Sequence, residues 1–104
     1  MRKHEKHCVY CGNRIYSSNA TWEHIIPLSK GGANCHANKK TCCNKCNNMR
    51  DNLSFAAFRE KIEKLMLTAE HKFKWQTMLV NLEIVQNYAT RMGKKLYKNQ
   101  DYEM

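Results

Sequence analysis

The sequence predicts a small α+β protein, with a cysteine-stapled, short-stranded first half and a wholly helical second half. Three observations carry this. All six cysteines lie before residue 47. Residues 1–52 alternate cysteine, asparagine, glycine and short polar stretches with brief extended pieces such as "NATWEHI". From Leu53 to Met92 there is neither glycine nor proline, and apolar residues recur there at helical spacing. The chain therefore divides at Asn52 into a metal-stabilised core, 1–52, and a helical extension, 53–104, that packs on the core or meets a partner. At 104 residues a single apolar core is marginal without a staple.

The staple is read from "CVYC" (Cys8, Cys11) and "CNKC" (Cys43, Cys46), two C-x-x-C pairs with 31 residues between them. Two residues between thiolates let both sulfurs converge on one ion, so two pairs make a closed tetrahedral zinc site. Such a site is structural and contributes on the order of 10 kcal/mol to folding. Cys42 is an alternative to Cys43, although only Cys43 keeps the two-residue spacing to Cys46; His4, His7, His36 and His71 are further ligands in principle. The opening "MRKHEKHCVYCGNRIY" has no hydrophobic segment or small-residue cleavage site, and no apolar run approaches the ~20 residues of a membrane span. The expectation is a cytoplasmic protein, where reduced cysteines bind metals more often than they pair.

A plain zinc ribbon separates its pairs by about 15–20 residues. The longer insertion leaves room for a hairpin carrying "WEHIIPLSKGG", residues 22–32, with the chain's only proline and two adjacent glycines. Beyond Asn52, Ser54 is placed to cap a helix, with Leu53 and Phe58 as a hydrophobic staple. Phe55, Phe58, Ile62 and Leu65 then share one helical face. A second helix runs from Thr68 to Gly93 with Trp75, Leu79, Leu82, Val85, Tyr88 and Met92 as its stripe, unless the two are one long helix. The tail "KKLYKNQDYEM" reads as polar and frayed.

Charge points to the partner. The 18 Lys and Arg against 9 Asp and Glu give a formal +9, and residues 1–52 hold half of the basic side chains but only three acids, Glu5, Glu23 and Asp51. Such an excess favours a polyanion, nucleic acid first.

Taken together, "C-V-Y-C" at 8–11, "W-E-H-I-I-P-L-S-K-G-G" at 22–32, Asn38, and "C-N-K-C-N-N-M-R-D-N" at 43–52 resemble the HNH endonucleases that carry two zinc knuckles. The resemblance spans roughly residues 8–52. It implies a treble-clef ββα-metal core: a strand ending near His24, a second strand around Lys39–Cys42, and a short helix from about Asn44. By position, it makes His24 the general base, Glu23 and Asn47 the holders of one Mg²⁺ or similar ion, and Asn38 the residue that fixes the loop and orients His24. It also implies DNA as substrate, 5′-phosphate and 3′-hydroxyl products, and the company of nucleases encoded by phages and mobile elements in bacteria.

The residue types suit that chemistry. An imidazole titrates near neutrality and can take a proton from water. A hard divalent cation needs few protein oxygens, because phosphate and water complete its shell. Lys30, Lys39, Lys40, Lys45 and Arg50 are the candidate phosphate contacts. Three features depart from the family pattern: Glu23 replaces Asp, "CHANKKTC" is more polar than the usual second strand, and "RDN" replaces Lys-Gly-Asn, removing a glycine turn after the short helix. The competing reading is a zinc-stabilised nucleic-acid-binding module without catalysis. It needs the cysteines but not Glu23, His24 or Asn47.

Overall fold

In the computed structural model, which describes residues 7–98, an antiparallel strand pair leads directly into a short helix. Strand β1 is Ala20–His24 and β2 is Lys39–Cys43. Their register sets Thr21 opposite Cys42 and Glu23 opposite Lys40. Helix α1, Asn44–Arg50, follows β2 without a linker, and the Cys43 sulfur caps it by accepting from the Cys46 amide. The strand alternation sends Glu23 inward while His24 stays half-exposed. β2 forms despite its two lysines because Thr41 and Cys42 alone need burying.

The loop between the strands is tightly built. A single 3-10 turn at Leu28–Lys30 ends at Gly31, whose φ of 90° suits glycine. At Gly32 a Cβ would sit 1.8 Å from the Ile26 carbonyl oxygen, so no side chain fits there. Asn38 closes the loop from a second 3-10 turn, His36–Asn38. Its Oδ1 accepts from the Ile26 amide, its Nδ2 donates to the Ile26 and Ala33 carbonyls, and it is fully buried.

Two longer helices complete the chain, α2 at Phe55–Thr68 and α3 at Phe73–Met92. Ser54 does cap α2, accepting from the Ala57 amide. The break that the sequence left open is present, but the second helix starts at Phe73 and not at Thr68, where α2 ends; Lys72 Nζ stabilises the break by donating to the exposed carbonyls of Met66 and Ala69. Phe58, Ile62, Leu82 and Val85 are buried with Met78, which the expected stripe omitted. Leu65 stays exposed.

One apolar cluster joins both halves: Tyr10, Ile15 and Ile25 from the first, Phe58, Ile62, Met78, Leu82, Val85 and Leu96 from the second. The Tyr10 and Phe58 rings meet edge to face at 5.2 Å. Asn81 and Tyr88 of α3 donate to the Tyr10 and Ala37 carbonyls. The frayed tail is corrected in part, because Leu96 is fully buried. Around it the Leu96 carbonyl accepts from the Ala33 amide, and the Lys98 amide donates to Gly31. The rest of that tail, 99–104, lies outside the described residues.

Candidate active site and metal centre

Four sulfurs meet beside the end of β2. The Sγ atoms of Cys8, Cys11, Cys43 and Cys46 all lie within 4.8 Å of one another, and those of Cys11 and Cys43 are 3.9 Å apart. Metal–sulfur bonds of ~2.3 Å give a tetrahedron with edges of about 3.8 Å, so the cluster has the dimensions of a zinc site. The Tyr10 and Cys46 amides point at the Cys8 and Cys43 sulfurs, at 3.4 and 3.5 Å, as thiolates require.

The sulfurs also compete for charge. Cys8 is driven toward the thiolate by hydrogen bonds from Cys42 and Cys46. The same contact with Cys8, together with burial, pushes Cys46 up. Burial pushes Cys11 up to about 11. Holding all four as thiolates takes a cation among them. Cys42 is fully buried, with its Sγ 3.8 Å from that of Cys8. Among the described residues Cys35 reaches only the Lys95 carbonyl, at 3.9 Å. His7, His36 and His71 do not join the cluster, and His4 lies outside the described residues.

Next to this centre is a cleft of about 370 Å³ whose lining includes Glu23, His24 and Asn47, with Trp22, Asp51 and Asn52. The strand end and α1 bring the first three together from positions 23 residues apart in sequence. The His24 imidazole is oriented by Asn34, whose Oδ1 lies 3.2 Å from Nε2. A carboxamide oxygen only accepts, so the tautomer that suits this contact is the one that donates from Nε2. The loop holding Asn34 is the one that Asn38 pins. Asn47 donates through Nδ2 to Thr21 Oγ1 at 2.9 Å, and that hydroxyl donates to the Cys42 carbonyl, so α1 is tied to both strands.

Glu23 is 2 % exposed and Arg50 1 %. Arg50 Nη1 donates to Glu23 Oε2 and to the Tyr10 hydroxyl, and that hydroxyl in turn donates to Glu23 Oε2 at 2.7 Å. Arg50 Nε donates to the Leu53 carbonyl, and the guanidinium lies 4.8 Å over the Phe55 ring. Burial pushes the Glu23 carboxyl above its usual range, against the pull of Tyr10 and Arg50. The expected phosphate contact Arg50 is thus enclosed, with Nη1 engaged by Tyr10 and by the carboxylate that was expected to bind a metal, and Nε by Leu53. It has no surface to offer DNA.

The remaining cations are placed differently. Lys30 and Lys45 are exposed, and Lys39 is half-buried at the start of β2. Lys40 leans over the Tyr88 ring, 4.3 Å from its centroid. Sequence reasoning did not single out Tyr10, Thr21, Asn34 or Asp51. Tyr10 sits inside a C-x-x-C pair, and Asp51 stands in the missing glycine turn; these were the available signals.

Comparison with known proteins agrees with this geometry. The family described as HNH endonuclease matches residues 8–62, past Asn52 and into α2. The chain belongs to the HNH endonuclease family. It is also 38% identical over 50 residues to the CRISPR-associated endonuclease Cas9 of Corynebacterium diphtheriae, a stretch covering 47% of this chain and 5% of that protein. The HNH chain described here therefore corresponds to a small segment of that relative. No helix among its described residues is long and apolar enough to cross a membrane.

Proposed function

We propose that this HNH protein is a metal-dependent endonuclease or nickase that hydrolyses DNA phosphodiester bonds, leaving 5′-phosphate and 3′-hydroxyl ends. The observation that carries the reading is the convergence of Glu23, His24 and Asn47 on one cleft beside the four-cysteine cluster. A binding module requires the cluster but not the cleft.

In this reading His24 is the general base. With Nε2–H directed at Asn34, Nδ1 takes the proton of a water attacking phosphorus. Asn38 keeps the loop closed around that geometry. The P–O3′ bond breaks as the new P–O bond forms, and the departing oxygen is protonated from solvent. The cleft's donors, the Asn47 and Asn52 amides, a hydroxyl at Ser29 and carboxylates at Glu23 and Asp51, are hard oxygens, which suit Mg²⁺ or Mn²⁺. Asn47, with one carboxylate of the cleft, would hold such an ion, which when bound supplies charge stabilisation at the phosphate. Cys8, Cys11, Cys43 and Cys46 would hold structural Zn²⁺. Lys30, Lys39 and Lys45 would position the DNA backbone without reading bases.

The test uses supercoiled plasmid with Mg²⁺ or Mn²⁺. Wild type should nick it, and His24→Ala should lower the rate by about 10²–10⁴-fold while still binding DNA. A wild-type protein that shifts DNA yet nicks it under no divalent ion would establish the binding module instead.

A further inference from the structure

We infer that Asp51 is a metal-binding residue of this cleft and supplies the carboxylate that Glu23, engaged by Arg50 and Tyr10, does not. The inference rests on the nuclease reading above. Three observations lead to it. First, the Glu23 carboxylate is enclosed and already neutralised by a guanidinium; a dication approaching it would face the Arg50 charge at contact distance. Second, Asp51 lines the same cleft, one helical turn after Asn47, and its amide donates to the Asn47 carbonyl. It is exposed and its carboxylate has no hydrogen bond or ion pair among the described residues. Third, Asp51 has φ 52° and ψ −132°, and is the one described non-glycine residue at positive φ. Glycine adopts that conformation without strain, whereas an aspartate there strains the backbone. Where the family pattern has glycine, this chain bears that strain and gains a carboxylate on the cleft.

The donor set this makes is Asp51 carboxylate with Asn47 Oδ1. The amide is turned the right way, since its Nδ2 is engaged by Thr21. One carboxylate and one amide oxygen leave the rest of the shell of a hard cation to water and phosphate.

The experiment is titration of the full, zinc-loaded, ¹⁵N-labelled chain with Mn²⁺, read as paramagnetic broadening of amide signals, in wild type, Asp51→Asn and Asp51→Gly. In wild type, broadening should centre on Asn47, Asp51 and His24. Both variants should need at least about tenfold more Mn²⁺ for the same effect. Asp51→Gly should also raise the melting midpoint, because the strain is relieved, so its loss of Mn²⁺ cannot be assigned to unfolding. Undiminished broadening of the cleft in either variant overturns the inference, as does broadening in wild type that centres elsewhere. The plasmid assay is a separate readout. His24-dependent nicking together with an Mn²⁺ site unaffected by Asp51 substitution would sink this assignment and leave the nuclease reading standing. Absence of nicking would sink that reading whatever the Mn²⁺ titration shows.

Discussion

At the residue scale, Arg50 joins three parts of the molecule that are remote in sequence: the first cysteine pair through Tyr10, β1 through Glu23, and the approach to α2 through Leu53. Removing one partner of a buried ion pair strands the other charge, at a cost of about 3–5 kcal/mol. Arg50→Met should lower stability by about that much in urea unfolding. The double variant Arg50→Met with Glu23→Gln should recover part of it, because no charge is then left unpaired. A phosphate contact would behave differently, leaving stability unchanged and reducing the salt dependence of DNA binding. The spacing of the cysteines and the order of Glu23, His24 and Asn47 were legible in the sequence because each depends on local geometry. The destination of Arg50 was not. A basic residue in the last turn of a helix can face phosphate or protein, and which it meets depends on how α1 packs over β1 and against Tyr10.

At the scale of elements, boundaries were legible where a cap or a breaker marked them, Ser54 before α2 and Gly93 after α3; the start of α1 at Asn44 was implied by the family resemblance, and its cap is Cys43. The Thr68 break was left open by the sequence because it rests on a side chain, Lys72, reaching back to carbonyls. The docking of residues 94–98 had no signal beyond Leu96, a single apolar residue next to two lysines. Yet this segment forms one wall of the loop between the strands, exchanging backbone hydrogen bonds with Gly31 and Ala33. Leu96→Ala should destabilise the fold by about 2–5 kcal/mol, as other large-to-small core changes do. Hydrogen exchange should speed most at the Ala33 and Lys98 amides, which the Leu96 anchor holds in place. Slow exchange at both sites in the variant would show that Leu96 is not the anchor.

At the scale of the whole molecule, the four-cysteine cluster closes the first half by joining residues 8–11 to the end of β2. The buried cluster then binds that half to α2 and α3, so a metal held by the four cysteines would stabilise the same packed unit as the apolar core. The two neighbouring thiols Cys42 and Cys43 separate these contributions. Cys43 is in the four-sulfur cluster and caps α1. Cys42 points into the apolar core, touching Cys8 from outside the cluster. With zinc as the resident ion, metal analysis should find about one Zn²⁺ per chain, and Cys43→Ser should abolish both the metal and the fold, since structural zinc contributes ~10 kcal/mol or more. Cys42→Ser places a hydroxyl in a small buried apolar site, so it should cost only about 1–3 kcal/mol and leave the Zn²⁺ content unchanged. Metal loss from the Cys42 variant with retention in the Cys43 variant would shift the ligand register by one residue. That shift would also move the Cys46 pair relative to Asn47, and with it the placement of α1 against His24.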